Sequence, residues 1–462
     1  MPRTLRLPDG SYMRRFDVQS ILHYLRAMQC VEVIGFSNIG KSALLRLLAQ
    51  SDVWIQELGE TGSDILPVYI DCNRMLDMSD QGFYELILRC LQESGSDLAT
   101  LPALIEAYNA LVNPSSEFQV PLSFNRGLTA VVESTQRRLV LLFDEFDEPF
   151  TQIAPRVLLN LRAMKDRHGS QLVYVVAVVE PMIEQHAGDV HSSEFRELFN
   201  HRAWYLAPLT HSDTERLIQR YMDAYEAPFV PADFDFIYQW AGGHPCLVEG
   251  VCRVLEETLD REDDEIGAPE TPAERWRLHR HVTRRLRSNE TLLYECETIW
   301  NTRSDAEQEV LLGLFTGTDD LRADVLEDLY RKHILLKVEG KPRVFCRLLA
   351  EYIQRQAAQE QPDSVALWVD MESGAVTVND EPVETLTNLE YRLMLLLFHN
   401  AEKIVTKYQI VSNVWGEDYI DEVDDARIEK LISRLRQKIE PDPANPLFLT
   451  TVRGRGYCLS LE

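Results

Sequence analysis

Val31-Glu32-Val33-Ile34-Gly35-Phe36-Ser37-Asn38-Ile39-Gly40-Lys41-Ser42-Ala43-Leu44-Leu45 is the stretch on which the fold turns. Val31–Ile34 reads as a buried strand, and the residues from Ser42 onward read as a helix. Between them, Gly35 to Ser42 fits G-x-x-x-x-G-K-[ST] at every fixed position, in the strand–loop–helix context that motif requires. The physical reason is direct. Gly35 and Gly40, with Asn38 and Ile39 between them, let backbone N–H groups close around phosphate oxygens, and the helix N-terminus adds its positive dipole end. Lys41 would reach the β- and γ-phosphates of ATP, or the β-phosphate of ADP, and the Ser42 hydroxyl would ligate Mg²⁺.

A partner motif lies about 100 residues on, in RRLVLLFDEFDEPF (137–150). Asp144 and Glu145 stand at the end of an apolar run. Asp144 is placed to hold Mg²⁺ through a water, and Glu145 to polarise an attacking water. Asp147 and Glu148 read as a solvated helix start. The apolar runs 31–34, 66–70, 139–143 and 172–179 are rich in Val, Ile and Leu. Such runs suit strands of a parallel sheet with helices on both faces, an α/β fold.

The chain has 462 residues, a length that suggests about three domains. Lys and Arg total 47 against 74 Asp and Glu, a net charge of -27. That excludes a nucleic-acid binder that relies on its overall charge, so any DNA contact has to come from a local basic patch. The longest apolar stretches fall far short of the ~20 residues of a spanning helix. The basic N-terminus has no apolar core of the kind a secretory signal needs. Eight cysteines are scattered without a C-x-x-C pair, which points to reduced thiols in the cytoplasm.

Residues 1–206 read as the α/β core. After Pro208 the pattern turns helical (213–225, 233–240, 245–259), giving a lid over 207–289 that includes an exposed loop at 260–275. Residues 290–354 read as a small winged helix: helices at 305–315, Ala323–Arg331 and 345–354, with ILLKVEGKPRVF as two strands about a Gly340-Lys341-Pro342 turn. A polar linker (355–364) leads to a final unit, 365–462, that opens with short strands at 367–370, 375–378 and 381–384.

Over residues 12–353 the chain resembles the STAND-type P-loop ATPases, relatives of the archaeal ATPases and the NACHT regulators. The resemblance rests on the two motifs, on LAPLTHSDTERLI (206–218) and on WAGGHPCLVEGVC (240–252). It implies that Gly243, His244 and Pro245 form a G-x-P motif beside the adenine end of the nucleotide. It also implies a slow ATPase that works as a switch, closed with ADP and open with ATP, with ATP-driven homo-oligomerisation. Where such proteins carry a small polar or basic sensor of the γ-phosphate, this chain has Glu180-Pro181, and a carboxylate there repels phosphate unless a metal bridges them. Arg196 and Arg202 precede the lid, where relatives carry a phosphate-contacting arginine; a surface ion pair is the equally weighted alternative.

Residues 365–462 resemble the winged-helix effector domain of OmpR/PhoB-type response regulators, through LTNLEYRLMLLLFHNAEKIVTKYQIVSNVWGE (386–417) and RIEKLISRLRQKIEPDPANPLFLTTVRGRGYCL (427–459). Ile428, Leu431, Ile432, Leu435 and Ile439 share one helical face. Arg427, Lys430, Arg434 and Lys438 fall on another, which a major groove could receive. A hairpin over 450–457 would present Arg453 and Arg455 to phosphates or the minor groove of double-stranded DNA. Residues 427–455 hold seven bases against three acids. Glu417, Asp418, Asp421, Glu422, Asp424 and Asp425 cluster just before, in a loop that the resemblance turns toward RNA polymerase. The resulting expectation is an ATP-controlled, DNA-binding regulator of transcription. The alternatives are a signalling or antiviral-defence scaffold whose winged helix grips a protein, and a steadily turning ATPase motor.

Overall fold

The computed structural model describes residues 5–185, 190–200, 202–265, 271–316, 321–360, 367–369, 376–378, 381–383, 385–401, 403–416, 423, 425–440, 443, 446, 448–452 and 455–460. Its contacts divide the chain into two units, Met1–Arg355 and Gln356–Glu462.

The first unit is built on five parallel strands: β1 (Val31–Ile34), β2 (Ile65–Asp71), β3 (Arg138–Asp144), β4 (Leu172–Val178) and β5 (Ala203–Tyr205), in the order β2-β3-β4-β1-β5. β1 and β4 are buried throughout and β3 is buried beyond Arg138, as continuous apolar runs require. β2 alternates more, and its Pro67 is tolerated because β2 is an edge strand. The other edge, β5, is only three residues long and sets no period in the sequence. Parallel pairing forces crossovers. The connection from β2 to β3 is enlarged by three mutually packed helices, α1 (Asp80–Glu93), α2 (Pro102–Val112) and α3 (Gln119–Thr135).

Beyond β5 come α4 (His211–Tyr225), α5 (Pro231–Ala241), α6 (Pro245–Glu265) and α7 (Pro272–Arg287). Within the stretch 260–275, read as a loop, residues 260–265 and 272–275 are helical, and 266–270 lie outside the described residues. α6 continues through the charged, helix-compatible residues to Glu265. α7 starts at Pro272 behind a Thr271–Glu274 capping box, a start signal that was present in the sequence. Four elements follow: α8 (Glu290–Asn301), α9 (Asp305–Thr316), α10 (Ala323–Arg331) and the hairpin β6 (Leu335–Val338)–β7 (Lys341–Val344). The hairpin turns at Glu339-Gly340, both at positive φ (50° and 83°), and not at Gly340-Lys341-Pro342; Pro342 lies within β7 opposite Lys337. A two-residue turn with both residues at positive φ matches strand twist better than a type I or II turn. α11 (Arg347–Glu360) carries helix well into the stretch read as a linker.

In the second unit, β8 (Leu367–Val369), β9 (Val376–Val378) and β10 (Glu381–Pro382) form an antiparallel sheet. α12 (Asn388–His399), α13 (Lys407–Ile410), α14 (Asp425–Ile439) and the sheet β11 (Ile404–Val405)–β13 (Gly456–Leu459)–β12 (Leu449–Val452) enclose a core of Leu393, Leu397, Ile410, Leu435, Phe448 and Leu459. Helices followed by a hairpin wing make this a winged helix.

The junction between α5 and α6 rests on Gly242 and Gly243, at φ 59° and 78°. A Cβ on Gly243 would lie 2.2 Å from the Leu209 carbonyl oxygen, so neither conformation nor space admits a side chain. Gly243→Ala is expected to cost about 2–4 kcal/mol, seen as a lower denaturation midpoint of the intact chain.

Candidate functional site

β1 ends at Ile34, and the chain turns at once into the loop 35–40 before α-helical Lys41–Leu48. Asn38 (φ 55°) and Gly40 (φ 110°) adopt left-handed backbone, a curvature that turns successive N–H groups toward one concavity. Gly35 is required at the loop's start, since a Cβ would sit 2.8 Å from Ile39 Cγ2. The loop faces a cleft of about 310 Å³ lined by Asn38, Gly40, Lys41, Ser42, Asp144 and Glu145, with Pro245 and Cys246 from the start of α6. The sequence-predicted groups that chemistry needs together are therefore together.

Lys41 is buried and its Nζ donates to the Gly35 carbonyl at 2.5 Å. Burial pulls its pKa down, while Asp147, Glu145, Asp144 and Glu180 oppose that shift. Asp144 is 1% exposed; its Oδ2 accepts from the Tyr69 hydroxyl at 2.6 Å, and its Oδ1 is buried without a hydrogen-bond partner. An orphaned carboxylate oxygen in the same cleft as the Ser42 hydroxyl is the hard-oxygen donor set Mg²⁺ takes. Among the described residues no group of three or more His, Cys, Asp or Glu could hold a metal alone. The pair therefore fits a cation shared with phosphate oxygens. Burial, then the neighbouring Asp144 charge, raises the Glu145 pKa, the direction a general base needs.

Three expectations change. Asp147 is not a solvated helix start: its carboxylate accepts from Val179 N (2.9 and 3.1 Å) and Gln185 Nε2 (2.8 Å), fixing the turn after β4. His244 does not line the cleft. It is fully buried, stacks on Phe36 (5.5 Å, 11°), and its Nε2 meets the Ser37 carbonyl at 2.9 Å while Nδ1 accepts from Leu247 N at 3.3 Å. It braces the phosphate loop from behind, whereas its neighbour Pro245 does reach the cleft. Arg202 stands at the N-terminal end of β5, beside the start of β1, and its guanidinium donates to Leu198 O at 3.2 Å. The loop lies at the other end of that sheet, about 10 Å of strand away. Arg196 donates to Ile183 O at 3.5 Å and also lies outside the cleft.

Two residues that hold the loop carry no motif. Arg14 is 3% exposed in left-handed backbone (φ 61°) and lines the cleft. It donates from Nη2 to Ile39 O (2.6 Å), from Nη1 to Ala207 O (2.8 Å) and from its backbone N to Asp213 (2.8 Å). Glu295 of α8 accepts twice from the loop's Asn38 side chain, at 3.0 and 3.1 Å.

In the second unit, Arg427, Lys430 and Arg434 lie on the exposed face of α14, and Arg455 is exposed after β12. Lys438 does not join them: its Nζ donates to Glu390 (3.0 Å) and to Thr385 O (2.7 Å), and its side chain is 16% exposed. Arg436, overlooked in the sequence, clamps the wing through Leu449 O (2.6 and 2.8 Å) and Thr451 Oγ1 (2.8 Å). Arg453 and the acids Glu417, Asp418, Asp421, Glu422 and Asp424 lie outside the described residues; Asp425 is exposed and pairs with Lys407 at 2.7 Å.

Tyr69→Phe is expected to leave the fold intact and to weaken Mg²⁺-dependent nucleotide binding about tenfold, with binding in EDTA unchanged, in a fluorescence titration. Lys438→Met should lower the melting temperature of the full chain through the stranded Glu390 carboxylate, whereas Lys430→Ala should leave it unchanged.

Comparison with known proteins bears on this second unit. Residues 380–459 match the family described as "Transcriptional regulatory protein, C terminal". The sensory transduction protein RegX3 of Mycolicibacterium smegmatis is 34% identical over 158 residues, 34% of this chain and 65% of that protein. RegX3 of Mycobacterium leprae is 41% identical over 158 residues, 34% of this chain and 74% of that protein. The chain thus spans about two-thirds of the length of the first relatives it matches. Among solved structures, a Walker-type ATPase of Pyrococcus abyssi aligns over 76% of this chain and 98% of its own at 13% identity and a TM-score of 0.46. The DNA-binding domain of CpxR from E. coli covers 21% of this chain and 90% of its own at 26% identity and a TM-score of 0.18. With a G-x-x-x-x-G-K-S loop on a parallel α/β sheet at one end and an OmpR/PhoB-type winged helix at the other, the chain belongs, through its C-terminal unit, to the transcriptional regulatory proteins of that family.

Proposed function

We propose that this protein is an ATP-dependent switch that governs the binding of double-stranded DNA, a signal-responsive regulator of transcription. The observation that carries the proposal is the pairing, in one chain, of the Lys41–Ser42–Asp144 cleft with a transcriptional-regulator winged helix. In this reading, residues 1–206 are the ATPase core, 207–289 the lid, 290–354 a middle winged helix, and 365–462 the DNA reader.

Lys41 and the loop N–H groups would bind the phosphates of ATP or ADP. Ser42 and Asp144 would hold Mg²⁺, which when bound neutralises phosphate charge. Glu145, held half-buried beside Asp144, would orient and deprotonate water for slow hydrolysis. Arg427, Lys430 and Arg434 would enter the major groove, and Arg455 would meet backbone phosphate. ATP-driven homo-oligomerisation would pair readers on two half-sites, which multiplies affinity through effective concentration.

The net charge of -27 favours one other reading, a STAND-type signalling or defence scaffold whose winged helix grips a protein partner. Selection of full-length protein on random duplex DNA separates the two. Recovery of enriched sequences in ATP and not in ADP is expected, and no recovery at any salt concentration would favour the scaffold. Lys41→Ala should abolish the nucleotide dependence of DNA binding, and unchanged affinity and stoichiometry in that variant would sink the switch. Lys430→Ala or Arg434→Ala should cost about 1–3 kcal/mol in DNA affinity.

A further inference from the structure

β4 lies between β3 and β1, so residues 179 and 180 leave the sheet between Asp144 and the phosphate loop. Val179 lines the cleft. The next residue, Glu180, has a side chain only 23% exposed, with Arg303 Nη2 at 2.6 Å from Oε1 and Lys332 Nζ at 2.6 Å from Oε2. Lys332 also meets Glu184 at 3.0 Å and Glu307 at 3.1 Å, and Arg303 meets Glu307 at 3.7 Å. Arg303, Lys332 and Glu307 are 1%, 6% and 5% exposed. Two buried cations, one following α8 and one following α10, thus fix a carboxylate that belongs to the ATPase sheet.

The cluster is not neutral: three carboxylates face two cations. Lys332 Nζ donates to Glu180 Oε2 and to Glu184, whereas Glu180 Oε1 and Glu307 Oε1 lie within ion-pair distance of a cation but make no aligned hydrogen bond, so the network is incompletely satisfied. Glu180 is also among the carboxylates whose charge acts on Lys41.

We propose that Glu180, immobilised by Lys332 and Arg303, makes this arrangement of the cleft select the diphosphate over the triphosphate. The inference rests on the nucleotide reading of the cleft. A γ-phosphate adds negative charge at the Lys41 and Ser42 end of the loop, flanked by Asp144 and the end of β4. A carboxylate fixed nearby, in surroundings poorer in water than bulk solvent, repels that charge and cannot swing aside while its two cations hold it. ADP lacks the added charge. ATP would favour an arrangement in which Glu180 and its cations separate, which couples nucleotide identity to the placement of α9 and α10.

The test is titration of the full-length chain with ADP and with a non-hydrolysable ATP analogue, in Mg²⁺, for the parent, Glu180→Gln, Glu180→Ala and Glu184→Gln, with melting curves to verify folding. The parent should bind the diphosphate more tightly. Both Glu180 variants should lower the ratio Kd(ATP)/Kd(ADP) about tenfold or more, with ADP affinity nearly unchanged, and Glu184→Gln should leave the ratio in place. An unchanged ratio in whichever Glu180 variant folds would overturn the proposal. So would selective loss of the ATP analogue, which would make Glu180 a ligand of the metal or the phosphate. A parent chain that binds neither nucleotide would instead overturn the reading of the cleft itself.

Discussion

The guanidinium of Arg14 is the contact on which the first unit's working surface depends. From one side chain it reaches the carbonyls of Ile39, in the phosphate loop, and Ala207, at the start of the lid, while its backbone N–H is held by Asp213 of α4. Burying a cation is costly unless its donors are satisfied, and desolvation accordingly pulls this arginine's pKa down. Two carbonyls and the nearby Asp17 offset part of that cost, while its buried Nε makes no hydrogen bond. The left-handed backbone at Arg14 adds about 1–2 kcal/mol of strain, borne because the surrounding contacts over-determine the conformation. The N-terminal segment is therefore a strut of the cleft, joining the loop 35–40 to the chain around Ala207 and to α4.

The loop is braced on two further sides. His244 holds Ser37 from the lid, and Glu295 holds Asn38 from α8. Each brace comes from an element more than 200 residues away, and both contact residues 37 and 38 at the apex and not the glycines at its base. The base is shaped by backbone conformation, and the apex by these two distant neighbours.

What was legible in the sequence was what is local. The G-x-x-x-x-G-K-S spacing, the apolar runs of β1, β3 and β4, the carboxylate ending β3, and the five apolar positions of α14 all follow from periodicity or adjacency, and the structure places them accordingly. What was not legible depends on distant partners. Lys438 shares the helical stripe of Lys430 and Arg434, but whether it reaches solvent is decided by Glu390, 48 residues earlier. His244 sits in a motif that implies nucleotide contact, yet the stacking of Phe36 decides which way its ring lies. Arg14 belongs to no periodic segment at all. The extension of α6 and the start of α7 are hard to read for a different reason: charge and proline also mark loops, although Thr271-Pro272-Ala273-Glu274 spells a helix start.

Charge segregation reconciles an acidic protein with the proposed DNA reader. The exposed bases of α14 stand on one stripe, and among the described residues Asp425 is answered by Lys407 and Glu390 by Lys438. Binding set up in this way should depend steeply on salt.

Arg436 has a larger consequence. By tying α14 to the carbonyl of Leu449 and the hydroxyl of Thr451, with Glu440 accepting from Phe448 N and Leu449 N at 2.6–3.1 Å, it welds helix and wing into one piece. A welded die prints one pattern. On the proposed reading, signals that reach such a module would change when it is delivered, how many copies arrive together and how long they stay, and would leave the face it presents as it is. Its targets would drift through substitutions on that face, and a regulator built this way could acquire new inputs without changing what it reads.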